Sequence, residues 1–182
     1  MSRVHKFWTR SQDERALFLE AAFWLGLARL AILVLPFRWI APLLGRNKGE
    51  SPQKAGTAAV ELLDRIAWAV AAASRNVPWE CRCLAQAMAG KVMLRRRGVS
   101  STLYLGVARG GEPGIQAHAW LRCGKRILTG RQGMAGFTVI ASFAGKALRS
   151  STGAHAEDST EALLSHQDCH HISTTLTLKV QR

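Results

Sequence analysis

With 182 residues, close to half of them apolar, the chain is long enough for one domain with its own core and too apolar for wholesale disorder. Four cysteines are too few for a disulfide scaffold, and their positions (81, 83, 123 and 169) match no paired zinc pattern, so free thiols and no metal are expected. The formal charge of +13 is concentrated in residues 82–150, which hold 12 Lys/Arg against the single acid Glu112; such a field could draw nucleic acid, anionic lipid or acidic peptide, or be a solvated basic face.

The opening MSRVHKFWTRSQDER is polar and lacks the apolar region of a signal peptide, so a reducing cytoplasm is expected. Residues 12–45 read as helical. Ser11 or Asp13 can cap the start, with Glu14 in the first turn. Leu17, Phe18, Ala21, Ala22, Leu25 and Ala28 recur at helical spacing; Pro36 then breaks or kinks the run, and FRWIAPLLG forms a short helix stopped by Gly45. Leu19, Phe23, Trp24 and Leu27 lie off that line, which fits a buried hairpin or a helix that meets a membrane surface or a partner. Glu20, Arg29 and Arg38 leave no 18-residue uncharged stretch, which argues against a transmembrane span.

RNKGESPQKA (46–55) is a polar loop. A third helix is expected over about 56–75, with Val60, Leu63, Ile66, Ala67 and Val70 on one face. Asn76, Val77 and Pro78 connect it to PWECRCLAQAMAGKVMLRRRG (78–98), whose helix should run from about 82 to 97. STLYLGVA (101–108), QAHAWLRC (116–123), RILTG (126–130) and FTVIASF (137–143) read as strands, with Gly124-Lys125 as a two-residue hairpin turn. Residues from Lys146 on are turn-like, and HHISTTLTLKV could be one last strand. Helices first, then an antiparallel sheet, is an α+β order. The chain divides into a helical lead-in (1–55), a core (56–145) and a tail (146–182).

Two cysteines one residue apart at a helix start could be metal ligands, a redox pair, buried thiols, or a nucleophile beside a bystander. A thiol at a helix N-terminus meets the positive end of the macrodipole and free backbone N–H groups, which favour thiolate and can receive an oxyanion. Leu84, Met88 and Val92 mark one buried line of this helix. Cys83, Ala87, Gly90 and Leu94 mark the next, and the small residues below Cys83 would let a sheet approach. A thiol nucleophile also needs a base. Five of the six histidines lie in the terminal segments; His118 alone sits within a strand, with Trp120 and Arg122 on its side of the pleat and Ala117, Ala119 and Leu121 on the other. A strand histidine is often structural, but a helix-terminal Cys followed by a strand His is the chain order of papain-like and transglutaminase-like enzymes.

Several ordered motifs carry a closer likeness. Trp79-x-x-x-Cys83-Leu84, then MLRRRG (93–98), LYLGVAR (103–109), HAWLRCG (118–124), ILTG (127–130) and FTVIASF resemble the leader peptidases of lasso-peptide biosynthesis, transglutaminase-like cysteine proteases of the microcin-maturation type. LFLEAAFWLGLARL and PFRWIAPLLG resemble that family's helical lead-in, so the likeness spans roughly residues 6–144. It implies a transglutaminase-like core, Cys83 as nucleophile, His118 as general base and Cys81 as bystander. The family pattern often places an acid about a dozen residues after the histidine. Here that position is Thr129-Gly130, and no Asp or Glu occurs between His118 and Glu157. Thr129 or Gln132 could orient His118 through a neutral hydrogen bond, with Thr129 the chosen residue; otherwise an acid comes from the tail or the site works as a dyad.

The resemblance implies removal of the leader from a ribosomally made precursor, with the freed amine condensed by a separate asparagine-synthetase-like cyclase. This chain has no GxxxxGK[ST], and no cofactor is expected. The roughly 10 residues before the first helix leave no room for a fused recognition domain, which implies a separate leader-recognition protein, with the 16–44 hairpin a possible docking surface. The other readings are a transglutaminase-like acyl transferase, a degenerate homologue, and a non-catalytic basic module. No aromatic-interleaved RNA motif accompanies Arg95–Arg97, so nucleic acid is not expected. Cys169-His170-His171 would make only a crowded metal set.

Overall fold

The computed structural model describes residues 11–51, 59–110 and 114–145. Helix α1 (Gln12–Val34) starts where the Ser11 hydroxyl accepts the Glu14 N–H at 3.3 Å, which satisfies one of the free amides of the first turn. Leu17, Ala21, Leu25, Ala28 and Ile32 form its buried line. Leu19, Phe23, Leu27, Leu30 and Val34 stay exposed on another, so α1 has two apolar faces and covers only one of them. By length and composition alone it could cross a membrane; its buried line belongs to the same core as the other helices and the sheet.

Pro36 caps α2 (Phe37–Leu44) rather than merely kinking α1, because its fixed φ suits a helix start. Ile40 and Leu44 bury the inner face of α2. Strand β1 (Arg46–Asn47) follows, inside the stretch that reads as a polar loop. Two residues carry no legible periodicity, and the pairing comes from Phe143 and Ala144 far along the chain.

Helix α3 (Ala59–Asn76) buries Leu63, Ile66, Ala69, Val70 and Ala73. Val60, assigned to that face from spacing, is exposed instead, as the second residue of the helix. Helix α4 (Cys83–Arg96) lies between α1 and the sheet and is buried on almost every side: Leu84, Ala85, Ala87, Met88, Ala89, Gly90, Lys91, Met93 and Leu94 are all inside. Val92 is only half-buried, whereas Lys91, a residue the apolar pattern would place outside, is 4 % exposed. Its ammonium donates to the carbonyls of Ser101 and Phe143, both at 2.8 Å.

Of the arginines at the end of α4, Arg95 is exposed and the other two are engaged. Arg97 and Arg96 converge on Glu20 of α1, with Arg97 at 2.6 Å. Arg96 also lies over the Trp24 ring.

The sheet comprises β2 (Ser101–Gly110), β3 (Gly114–Cys123), β4 (Arg126–Thr129) and β5 (Thr138–Gly145), in the order β1-β5-β2-β3-β4, every pair antiparallel. Cys123 pairs with Arg126 across Gly124-Lys125, confirming the hairpin, and Gly124 supplies its positive φ of 57°. Leu103, Leu105, Ala119, Leu121 and Phe143 join the helical core. Tyr104, Trp120 and Arg122 occupy the other face, where Arg122 donates to the Tyr104 hydroxyl and pairs with Glu50. The whole is an α+β fold of helices on an antiparallel sheet, a transglutaminase-like core. The suggested last strand, HHISTTLTLKV, and the Cys169-His170-His171 cluster lie outside the described residues.

Candidate active site

Arg82 is the N-cap of α4, in extended backbone, so Cys83 is the first helical residue. The first bond of the helix runs from the Gln86 N–H to the Arg82 carbonyl at 3.2 Å. The N–H groups of Cys83, Leu84 and Ala85 therefore have no partner within the helix and point toward its N-terminal end. The Gln86 side chain reaches back to the Cys81 carbonyl at 2.8 Å and ties down the approach to the helix. Small residues below Cys83 do admit the sheet: a Cβ on Gly90 would stand 3.0 Å from Leu121 Cδ2.

Cys83 is free and half-buried. Cys81 is free as well, and burial pushes its thiol up, partly offset by a hydrogen bond to Trp79 and by the Arg29 charge. A raised thiol offers less thiolate at neutral pH than an unperturbed one. Cys123 is pushed up by burial in the same way, and its thiol points to the Ser100 carbonyl at 3.2 Å.

His118 sits in β3 directly opposite Gly106 of β2. Its ring stacks on Trp120 at 5.9 Å between centroids and leans against Phe137 at 5.1 Å. The row continues from Trp120 to Tyr104 at 5.6 Å and on to the Arg122 guanidinium. Gly106 is a condition of this packing, because a Cβ there would come within 2.8 Å of the Trp120 ring and 3.0 Å of Phe137 Cβ.

The Nε2 atom of His118 is 2.8 Å from the Gly130 carbonyl oxygen. A carbonyl only accepts, so Nε2 carries the proton and Nδ1 is left with the lone pair. Gly130 holds this position because its φ is +74° and because a side chain there would run into the Ala119 carbonyl and the Trp120 backbone.

Thr129 is not the group that orients the imidazole. It is buried, packs toward Gly90 on the helical side of the sheet, and its hydroxyl has no partner among the described residues. Gln132 is exposed. Side-chain chemistry gives no sign of Gly130, because the group that bonds His118 is backbone; its one sequence signal is a glycine at the position where the family pattern places an acid.

Cys83 and His118 bound the same cavity. No hydrogen bond joins thiol to imidazole among the described residues; catalytic bonds of this kind commonly tighten when substrate arrives. The cavity has an empty volume of about 530 Å³, its open mouth included. Phe37 and Ile40 of α2, Leu84 beside the cysteine, and Leu105 and Ala119 on the sheet form much of its wall. Among the described residues no group of three His, Cys, Asp or Glu side chains is placed to hold a metal.

A thiol at the first turn of a buried helix and a strand histidine tied to the backbone through Nε2 thus line one cavity on a helix-and-sheet core. A family model described as the transglutaminase-like superfamily matches residues 31–142, well over half of the chain, and the protein belongs to that superfamily. Its members are generally cysteine proteases or acyl transferases. The match takes in α2 along with the core, and the sheet to within a few residues of its end. A search of curated proteins and a search of solved structures each found no match.

Proposed function

We propose that the protein is a cysteine peptidase that removes the leader from a ribosomally synthesised precursor of the lasso-peptide type. The observation that supports this most is that Cys83, at the N-terminus of α4, and His118, whose Nε2 bonds the Gly130 carbonyl, line one cavity. In this reading Nδ1 of His118 takes the Cys83 proton, and Sγ bonds to the carbonyl carbon at the leader–core junction. The oxyanion forms beside the free N–H of Cys83. As the C–N bond breaks, the imidazolium returns its proton to the leaving amine, the new core N-terminus. Water then attacks the thioester, gives a proton to Nδ1, and the C–S bond breaks to release the leader acid and the thiol.

A separate leader-recognition protein brings the precursor, and an asparagine-synthetase-like cyclase uses the freed amine. The exposed line Leu19, Phe23, Leu27, Leu30 and Val34 on α1 supports docking of the recognition protein there, since single exposed apolar residues are ordinary but a continuous helical stripe is not. Mass spectrometry of the precursor, incubated with this protein and the recognition protein, tests the reading. A single cut with a free amine, lost in Cys83→Ala and His118→Ala and kept in Cys81→Ala, is expected. A new isopeptide bond in place of the cut would make the protein an acyl transferase instead. Cutting by the Cys83→Ala variant would end the assignment.

A further inference from the structure

The cavity that Cys83 and His118 share is chemically one-sided. Those two residues are the polar members of its wall; the rest are Ile, Leu, Phe and Ala side chains from five different elements. Ile32 and Leu35 at the end of α1, with Phe37 and Ile40 at the start of α2, close the side away from the sheet. Ala117 and Ala119, at alternate positions of β3, form part of the sheet side, and as the smallest side chains with a Cβ they leave depth there. Among the described residues, no acid, lysine or arginine contributes to the wall.

We propose that this cavity is the subsite for a bulky, uncharged apolar side chain on the acyl side of the bond that Cys83 attacks. The inference rests on Cys83 as nucleophile and adds what the site selects. The acyl portion is bonded to Sγ from the first step until water releases it in the second, so a recess beside Cys83 serves it throughout, whereas the amine departs after the first. Ligand sites are ordinarily apolar with a few polar groups, as the wall of this recess is. A charged side chain entering it would lose its hydration with no partner to replace it. A glycine would leave the recess empty and forgo the contact.

The test compares N-acetyl-aminoacyl chloromethyl ketones bearing Leu, Phe, Gly or Asp side chains, with iodoacetamide as the reference that has none. In each, Sγ forms a bond to the methylene carbon as the carbon–halogen bond breaks and halide leaves. Rates at Cys83 are read by peptide mass mapping on the full chain. The Leu and Phe reagents are expected to react roughly tenfold or more faster than Gly, and faster still than Asp, since a single methylene in an apolar pocket discriminates by about 10–200-fold. Ala117→Leu, which fills the recess, lowers the Leu-to-Gly rate ratio. Equal rates for Leu, Gly and Asp at a Cys83 that iodoacetamide labels readily would overturn the subsite and leave the nucleophile standing. A Cys83 inert to iodoacetamide and to every ketone would overturn both.

Discussion

Because a carbonyl can only accept, His118 Nε2 donates to the Gly130 oxygen, and in the proposed reaction the base is Nδ1. A backbone group cannot be exchanged by substituting its side chain, but it can be displaced. Gly130→Ala places a Cβ against the Ala119 carbonyl and forces an alanine to φ +74°. It should cost about 1–3 kcal/mol of stability and, by moving the carbonyl, lower turnover roughly tenfold or more; urea unfolding and precursor cleavage read the two effects. Thr129→Val is the matched control. Its hydroxyl is buried without a partner among the described residues, so removing it should change stability by no more than about 1 kcal/mol, in the stabilising direction, and leave turnover near wild type. A large loss of turnover in Thr129→Val, with the fold intact, would return the orienting role to the hydroxyl.

At the level of elements, α4 joins the two halves of the fold, and two charged groups, Lys91 on α4 and Glu20 on α1, can be followed by titration. Lys91, buried between α4 and the strand ends, is pushed down to about 8 from an ordinary 10.5, by burial first and by the Arg95 charge second. A base depressed on folding holds fewer protons in the native than in the unfolded chain between those two values. Stability should therefore rise with pH across that window, by on the order of 3 kcal/mol. Lys91→Met should flatten that rise in urea midpoints; an unchanged slope would place the titrating group elsewhere. Glu20 works in the opposite sense. The Arg97 hydrogen bond, the largest influence, holds its carboxyl below the usual range against the cost of burial, with the Arg97 and Arg96 charges assisting. Its contribution is present above the ordinary glutamate pKa and fades as pH falls through the lowered one. Glu20→Gln should cost about 1 kcal/mol at pH 7, and the difference from wild type should vanish in strong acid. Helical periodicity made α1, α3 and α4 legible to within a few residues, and the one-residue alternation did the same for β2, β3 and β5. Lys91 was not legible, because its partners are carbonyls on strands 10 and 52 residues away.

For the molecule as a whole, the order helices, cysteine helix, antiparallel sheet was readable from the chain, and so was the superfamily, because the Cys83 and His118 motifs lie within the matched region. What could not be read was which apolar residues would remain outside. Leu19, Phe23 and Leu27 are as apolar as Leu17 and Leu25, and only packing against α3 and α4 decides between them. If the exposed stripe is the docking face, Phe23→Glu with Leu27→Glu should abolish recognition-protein binding in a pull-down or calorimetric titration. Stability should shift by no more than about 0.5 kcal/mol per site, as for surface positions. Binding that survives both changes would move the partner to another face. The concentration of positive charge in residues 82–150 is partly used within the fold: Arg97 and Arg96 meet Glu20, Arg122 meets Glu50, and Arg126 meets Asp64. The basic region is thus in part a set of clamps between elements.

The most direct measurement is acid-quenched mass spectrometry of the enzyme during precursor cleavage, with peptide mapping of any adduct. A covalent mass equal to the leader acyl group, on the peptide containing Cys83 and released by hydroxylamine, is the predicted result; it should be absent in Cys83→Ala and greatly reduced in His118→Ala. Cleavage that proceeds at full rate in Cys83→Ala, or an adduct that maps to Cys81, would contradict the account.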